Sequence, residues 1–299
     1  MFACSSMQLA NKHYAPPVEA LDYYTRAVSG LRRKLSAGEL TGSAIQLLKL
    51  RCQNPLTEER HHDLYVLMAE SIIFHVSTLL VSSPSFAKLD IDSNLWEWIE
   101  AILQEPAYED LPAPASHPVL GTPRRLNRLV FEISKLSMRV PLPPSDMPEL
   151  EKLGKDLTQW EIDEEAIADD PESGLQRDPY CKVRKLYILC ARILLLTIEA
   201  AGRASEVAVI KQQLQEHVAK SLEIIHDMEN TSMESWNFLM RWPLRILSCI
   251  VESEEDRSVV RASLERIWST SACGDVKRSL DAIDLFPEQN MALVTEKCV

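Results

Sequence analysis

Val183–Ile198 reads VRKLYILCARILLLTI. The run is too long for an ordinary strand, and wound as a helix it is apolar nearly all round. A helix at a protein surface keeps one polar face, whereas a helix without one must be enclosed by neighbours. The stretch is no bilayer span either. The wider segment Leu186–Gly202 is interrupted by Arg192 and falls short of the ~20 apolar residues required. The sequence therefore calls for a water-exposed shell of helices around a central one.

The flanking sequence supplies that shell. Leu21, Tyr24, Val28, Leu31 and Leu35 recur at spacings of three and four behind Pro16 and Pro17, which marks an amphipathic helix over 18–35. His62–Leu80 is apolar on more than one face, and NLWEWIEAILQ at Asn94–Gln104 is a short helix. The prolines of Glu105–Pro123 break the pattern, because proline cannot donate and turns its predecessor away from helix. Leu126, Leu129, Val130, Ile133 and Leu136 restore it. After a second break, PLPPSD, a stripe runs through Met147, Leu150, Leu153, Leu157 and Trp160, with Ser145 as the expected N-cap. The acidic run from Glu161 carries that helix into solvent. Val207, Ile210, Leu214, Val218, Leu222, Ile225 and Met228 mark the next helix. Nothing alternates with period two. The expectation is an all-α fold: a single array of about ten antiparallel helices forming one domain over residues 1–299.

Charge and cysteine usage narrow the function. Lysine and arginine number 32 against 44 acidic residues, a formal net charge of −12. Phosphate binding needs clustered cations, so neither nucleic acid nor an anionic membrane is an expected partner. The seven cysteines are scattered without a C-x-x-C pair, as free thiols in a reducing compartment would be. No histidine or cysteine spacing suits zinc, and no metal or cofactor is expected. The N-terminus lacks the basic start and apolar run of a signal peptide.

The stretch RWPLRILSCIVESEEDR, Arg241–Arg257, sets a proline inside an apolar run and follows it with acid. A helix capped by Ser235 would begin at Trp236 and either kink at Trp242–Pro243 or restart there with Pro243 in its first turn. Ser253 is placed to cap the next helix, with Asp256 in the capping-box position. Gly274 is placed as a left-handed C-cap at that helix's end.

These residues resemble the C-terminal regulatory domain of fungal-specific transcription factors, in the second large family of such domains. The resemblance is carried by Trp242, Pro243 and Leu244, then Glu255, Asp256 and Arg257, then Leu264, Glu265, Ile267 and Trp268, then Gly274, Asp275 and Val276. SHPVLGTPRRLNRLVFEISKL, at 116–136, is a second similar segment. Two departures stand out. SCIVES replaces the family's Gly-x-Glu-Ala, and the six-cysteine binuclear zinc cluster that binds DNA has no counterpart in this sequence. The chain also opens inside a helix that the family precedes with more sequence, as a shortened paralogue, an incomplete gene model or a regulator acting through other proteins would. The resemblance implies a transcription-regulator effector domain, nuclear or cytoplasmic. It would bind a small apolar ligand or protein partners, a second copy included, and would not itself bind DNA or membrane. Two other classes fit the composition: an enzyme of specialised metabolism on a reused helical scaffold, and a partner-binding scaffold.

Individual residues point mainly to architecture. Trp242 is expected as a buried wedge rather than a ligand contact, and Arg257 as a partner of its acidic neighbours or of a nearby helix end. Arg32–Lys34 and Arg124–Arg125 are expected as solvated faces, and Cys181–Lys185 is too short to mark nuclear import. Cys190 in the most apolar helix is expected to be inert. His75 is expected as a hydrogen-bonded core residue, and the acids of 163–170 as surface. With no nucleophile-elbow, phosphate-loop or zinc-protease motif, the chain is not expected to be an enzyme.

Overall fold

The computed structural model describes residues 62–82, 93–103, 120, 122–168, 179–202, 207–229, 238–271 and 274–284. Among them lie nine α-helices and no strand. In chain order these are α1 His62–Leu79, α2 Ser93–Ile102, α3 Arg124–Ser137, α4 Met147–Ala168, α5 Pro179–Gly202, α6 Val207–Glu229, α7 Arg241–Ile250, α8 Glu254–Ser271 and α9 Gly274–Ile283. The all-α expectation holds. The helix expected over 18–35, most of the first proline break, the Ser235 cap and the acids at 169–170 lie outside the described residues.

The chain divides into two compact units, Met1–Ile72 with Leu89–Pro112, and Ile73–Lys88 with Ala113–Val299. In the first, α2 buries Trp96, Ile99 and Leu103 at helical spacing. The second is built around α5. Val183, Leu186–Ala191 and Ile193–Ile198 are all buried, as a helix apolar on every side requires. Helices α3, α4, α6 and α7 pack against it. The one charge in its middle, Arg192, reaches α4: its Nε donates to Glu161 Oε1 at 2.9 Å, and its Nη2 donates to Glu161 Oε2 at 2.6 Å and to Thr158 Oγ1 at 2.8 Å. A guanidinium suits that forked pairing because its donors lie in one plane.

Two caps differ from expectation. Ser145 does not cap α4. It lies in a 3-10 turn, Pro144–Asp146, that runs directly into the helix, and its hydroxyl donates to the Asp146 carboxylate at 3.2 Å. Pro143 is extended and Pro144 opens the turn, so Ser145 is already wound helically and lacks the extended backbone an N-cap needs. Gly274 does not terminate α8 in a left-handed turn. It begins α9, without a positive φ. Asp275 then sits in the first turn, where the helix N-terminus favours an anion.

Helix α7 follows a turn over 238–240. It begins at Arg241 behind the Met240 cap, so Pro243 occupies the first turn, where its missing N–H has no helical partner to lose. A proline at 243 cannot serve the Leu239 carbonyl, and the hydroxyl of Tyr187 on α5 donates to it instead at 2.9 Å. Trp242, 1% exposed, lies against the Tyr187 ring with centroids 5.1 Å apart.

Candidate functional site

Several residues singled out by sequence are structural. Trp242 is the buried wedge expected of it. Arg257 takes both expected partners: its Nη1 lies 3.7 Å from Glu254 and its Nε donates, at a longer 3.5 Å, to the Val251 carbonyl at the end of α7. Cys190 is fully buried and its thiol donates to the Pro243 carbonyl at 3.8 Å. Burial pushes that thiol well above the ordinary range, with a hydrogen bond from Ser221 opposing, so it is a poor nucleophile at neutral pH. Lys182 and Arg184 of the CKVRK run are held locally, by Asp227 at 3.5 Å and by the Cys181 sulfur at 3.5 Å.

His75 departs from its expected role. Its Nδ1 is buried without a hydrogen-bond partner. Burial, and then the positive charge of Arg241, lower its pKa to about 4, with Asp275 opposing. The imidazole is therefore neutral at pH 7. It belongs to a polar cluster at the start of α7. Arg241 Nε donates to Asp275 Oδ2 at 2.6 Å, tying α7 to the first turn of α9. Arg245, 7% exposed, donates to the Arg278 carbonyl at 3.1 Å. A buried pair of this kind fixes how two helices meet more than it stabilises them. Its charges face one another across a helix junction, Arg241 paired with Asp275.

Two clefts lined by described residues lie elsewhere. The larger, about 850 Å³, lies between α3 and α4. Its walls carry Arg125, Arg128, Lys152, Glu132, Asp156 and Asp163 over a floor of Leu129, Leu153 and Trp160. So dense a mixture of both signs is well solvated, and an apolar ligand would have to strip it of water.

The smaller cleft, about 480 Å³, has the opposite chemistry. It lies where the last turns of α5 part from α6. Thr197, Ala200 and Ala201 form one wall, and Val207, Ile210, Leu214 and Val218 form the second. Cys249, Ile250 and Val251 at the end of α7 close the floor. Size and lining both fall in the range of small-molecule sites, which are mostly apolar with a few polar groups. Three of those groups, Glu252, Ser253 and Asp256, lie at the α7–α8 turn, with Thr197 on α5 and Lys211 and Gln215 on α6. Ser253 Oγ accepts the Asp256 N–H at 3.0 Å, so the expected N-cap is present and fixes this rim. Lys211 reaches from α6 to Glu252 at 3.2 Å. Val207 remains 36% exposed at the mouth.

The cleft lies at the C-terminal end of α5 rather than around its middle. Large interlocking side chains fill the middle. The alanines at 200 and 201 leave the end open. The α6 stripe begins at Val207, where α5 has shrunk to Ala-Ala-Gly, but only the packed structure shows that the two leave a gap.

Among the described residues, no group of three or more histidine, cysteine or acidic side chains is placed to hold a metal ion, and no helix is long and apolar enough to cross a membrane. The family model for the fungal specific transcription factor domain matches residues 77–285, a span that contains all of α3 to α9 and the whole apolar cleft. No curated protein and no solved structure matches the chain.

Proposed function

The chain belongs to the fungal specific transcription factor domain family, and from that membership we propose that it is a regulatory effector domain, working in the nucleus, that responds to a small apolar ligand. The observation that carries the ligand is the cleft at the end of α5. It is apolar, open at its mouth, and shared by α5, α6, α7 and the start of α8. A molecule seated there touches four elements and favours the packing that best closes on it, which is a population shift between arrangements of the same helices. Cys190 is buried and suppressed, and Asp275 is paired with Arg241, so neither supports a catalytic reading. With a net charge of −12 the chain would reach DNA through other proteins.

The reading is tested by a thermal-shift screen of apolar metabolites. A ligand selective for the folded state stabilises it by about 2.7 kcal/mol at a hundredfold excess over its dissociation constant. The hit should be recovered chemically unchanged and should alter reporter output when the chain is tethered to an unrelated DNA-binding domain. Ala219→Trp, at an exposed position that lines the cleft, should abolish both effects. Turnover of the hit would replace this reading with an enzyme. Reporter activity indifferent to every ligand and to Ala219→Trp would leave a partner-binding scaffold. Sequence-selective duplex binding by the isolated chain at submicromolar affinity would overturn the indirect role on DNA.

A further inference from the structure

The polar rim of the apolar cleft is asymmetric, and its asymmetry selects the ligand's head group. Three charged side chains line the site: Lys211, Glu252 and Asp256. Lys211 and Glu252 are paired at 3.2 Å, and each is about half exposed, 48% and 49%. The pair neutralises itself and leaves Asp256. That residue is partly buried in the first turn of α8, held in place by its own N–H to Ser253 Oγ at 3.0 Å. Its carboxylate makes no ion pair among the described residues. A helix N-terminus ordinarily favours an anion, but the first turn of α8 already carries Glu254, Glu255 and Asp256. An incoming carboxylate would meet that charge with little N-terminal field left to offset it.

We infer that the cleft takes an apolar molecule ending in a protonated amine, its hydrocarbon body against Ile210, Leu214, Val218 and Ile250 and its ammonium at Asp256. This rests on the ligand reading of the cleft and adds the class of molecule that fits it. The complementarity is of charge as well as shape. The ammonium supplies the donors that Asp256 lacks, and the body covers the partly exposed Leu214 and Ile250 at the apolar wall. An alcohol with the same body keeps the apolar contact and one donor but loses the charge. A carboxylate of the same body turns the interaction repulsive.

The test is a calorimetric titration of the full chain with octylamine, octanol and octanoate, each below its micellar range and at low ionic strength. The amine should bind about tenfold more tightly than the alcohol, and octanoate should bind weakest. A tenfold preference corresponds to about 1.4 kcal/mol. Asp256→Asn should remove the amine's preference over the alcohol while octanol still binds, which also reports that the variant is folded. Added salt should narrow the gap between amine and alcohol, since the rim is within reach of solvent ions. Octanoate binding as tightly as octylamine would overturn the inference, as would an amine preference that survives Asp256→Asn. If the three bind alike and Ala219→Trp abolishes all three, the apolar cleft stands as a ligand site and the head-group inference alone fails. If none binds, both fail together.

Discussion

The two ends of α5 meet different surroundings. Around Tyr187 and Cys190 every side is occupied: Trp242 stacks on the tyrosine ring, and the Leu239 and Pro243 carbonyls accept from its hydroxyl and from the thiol. Around Ala200 and Ala201 the helix has shed its bulk, and α6 and the α7–α8 turn stand off to leave about 480 Å³. The same helix thus supplies a dense junction and an open cleft, and the difference is one of side-chain volume. Interiors pack at crystal-like density where large residues interlock, and open where small ones face a stripe they cannot reach. In the role proposed above, the junction would hold the fold and the cleft would be the place where a ligand acts.

The sharpest way to break this contrast is at the junction. Trp242→Ala should cost about 3–5 kcal/mol by denaturant unfolding, the range for truncating a buried aromatic. A loss below about 1 kcal/mol would mean that the start of α7 is no tighter than the cleft. Next is Tyr187→Phe, which leaves the ring and removes the hydroxyl that donates to the Leu239 carbonyl. Leaving a buried acceptor unsatisfied costs about 1–3 kcal/mol. The double variant Tyr187→Phe with Trp242→Ala should show strong coupling, because the two rings touch.

The junction should also carry the acid sensitivity of the fold. His75 has a folded pKa of about 4 against an ordinary 6.5, lowered by burial and by Arg241 with Asp275 opposing. Because the folded pKa is the lower one, the unfolded chain takes the proton first. The contribution is fully present above pH 6.5, declines as pH falls, and is lost by about pH 4. Part of His75 remains in contact with water, so the loss is held to about 1–2 kcal/mol. Stability measured from pH 7.5 to pH 4 should fall less steeply in His75→Gln than in the unaltered chain. Equal slopes would assign the acid sensitivity elsewhere.

Changes at the cleft should be smaller and should move a different readout. Ser253→Ala removes the cap of α8 and should cost about 1 kcal/mol, while loosening the rim enough to weaken ligand-induced stabilisation. Ala219→Trp should alter the stability of the free chain by no more than about 0.5 kcal/mol, as an exposed substitution does, and still abolish ligand-induced stabilisation. Should it instead destabilise as Trp242→Ala does, the cleft is part of the closed core and the contrast collapses.

What the sequence determined by itself is the helices and their buried faces. Period and composition are local properties: VRKLYILCARILLLTI can satisfy its apolar surface only as an enclosed helix, and of the α6 stripe Ile210, Val218, Ile225 and Met228 are buried while Val207 stays exposed. The Ser253 cap was legible for the same reason, since its partner lies three residues along the chain. The resemblance of Trp242–Pro243–Leu244 and its companions to a known family was legible too, and the match over 77–285 bears it out. Only the tertiary structure decided the rest. What satisfies the carbonyl that Pro243 cannot serve depends on Tyr187, which lies 52 positions before Leu239 and donates to it. The role of His75 depends on Arg241 and Asp275. The cleft is a place where helices fail to meet, and no local pattern records a gap. It depends on volumes contributed by segments far apart in the chain, and becomes visible only once they are brought together.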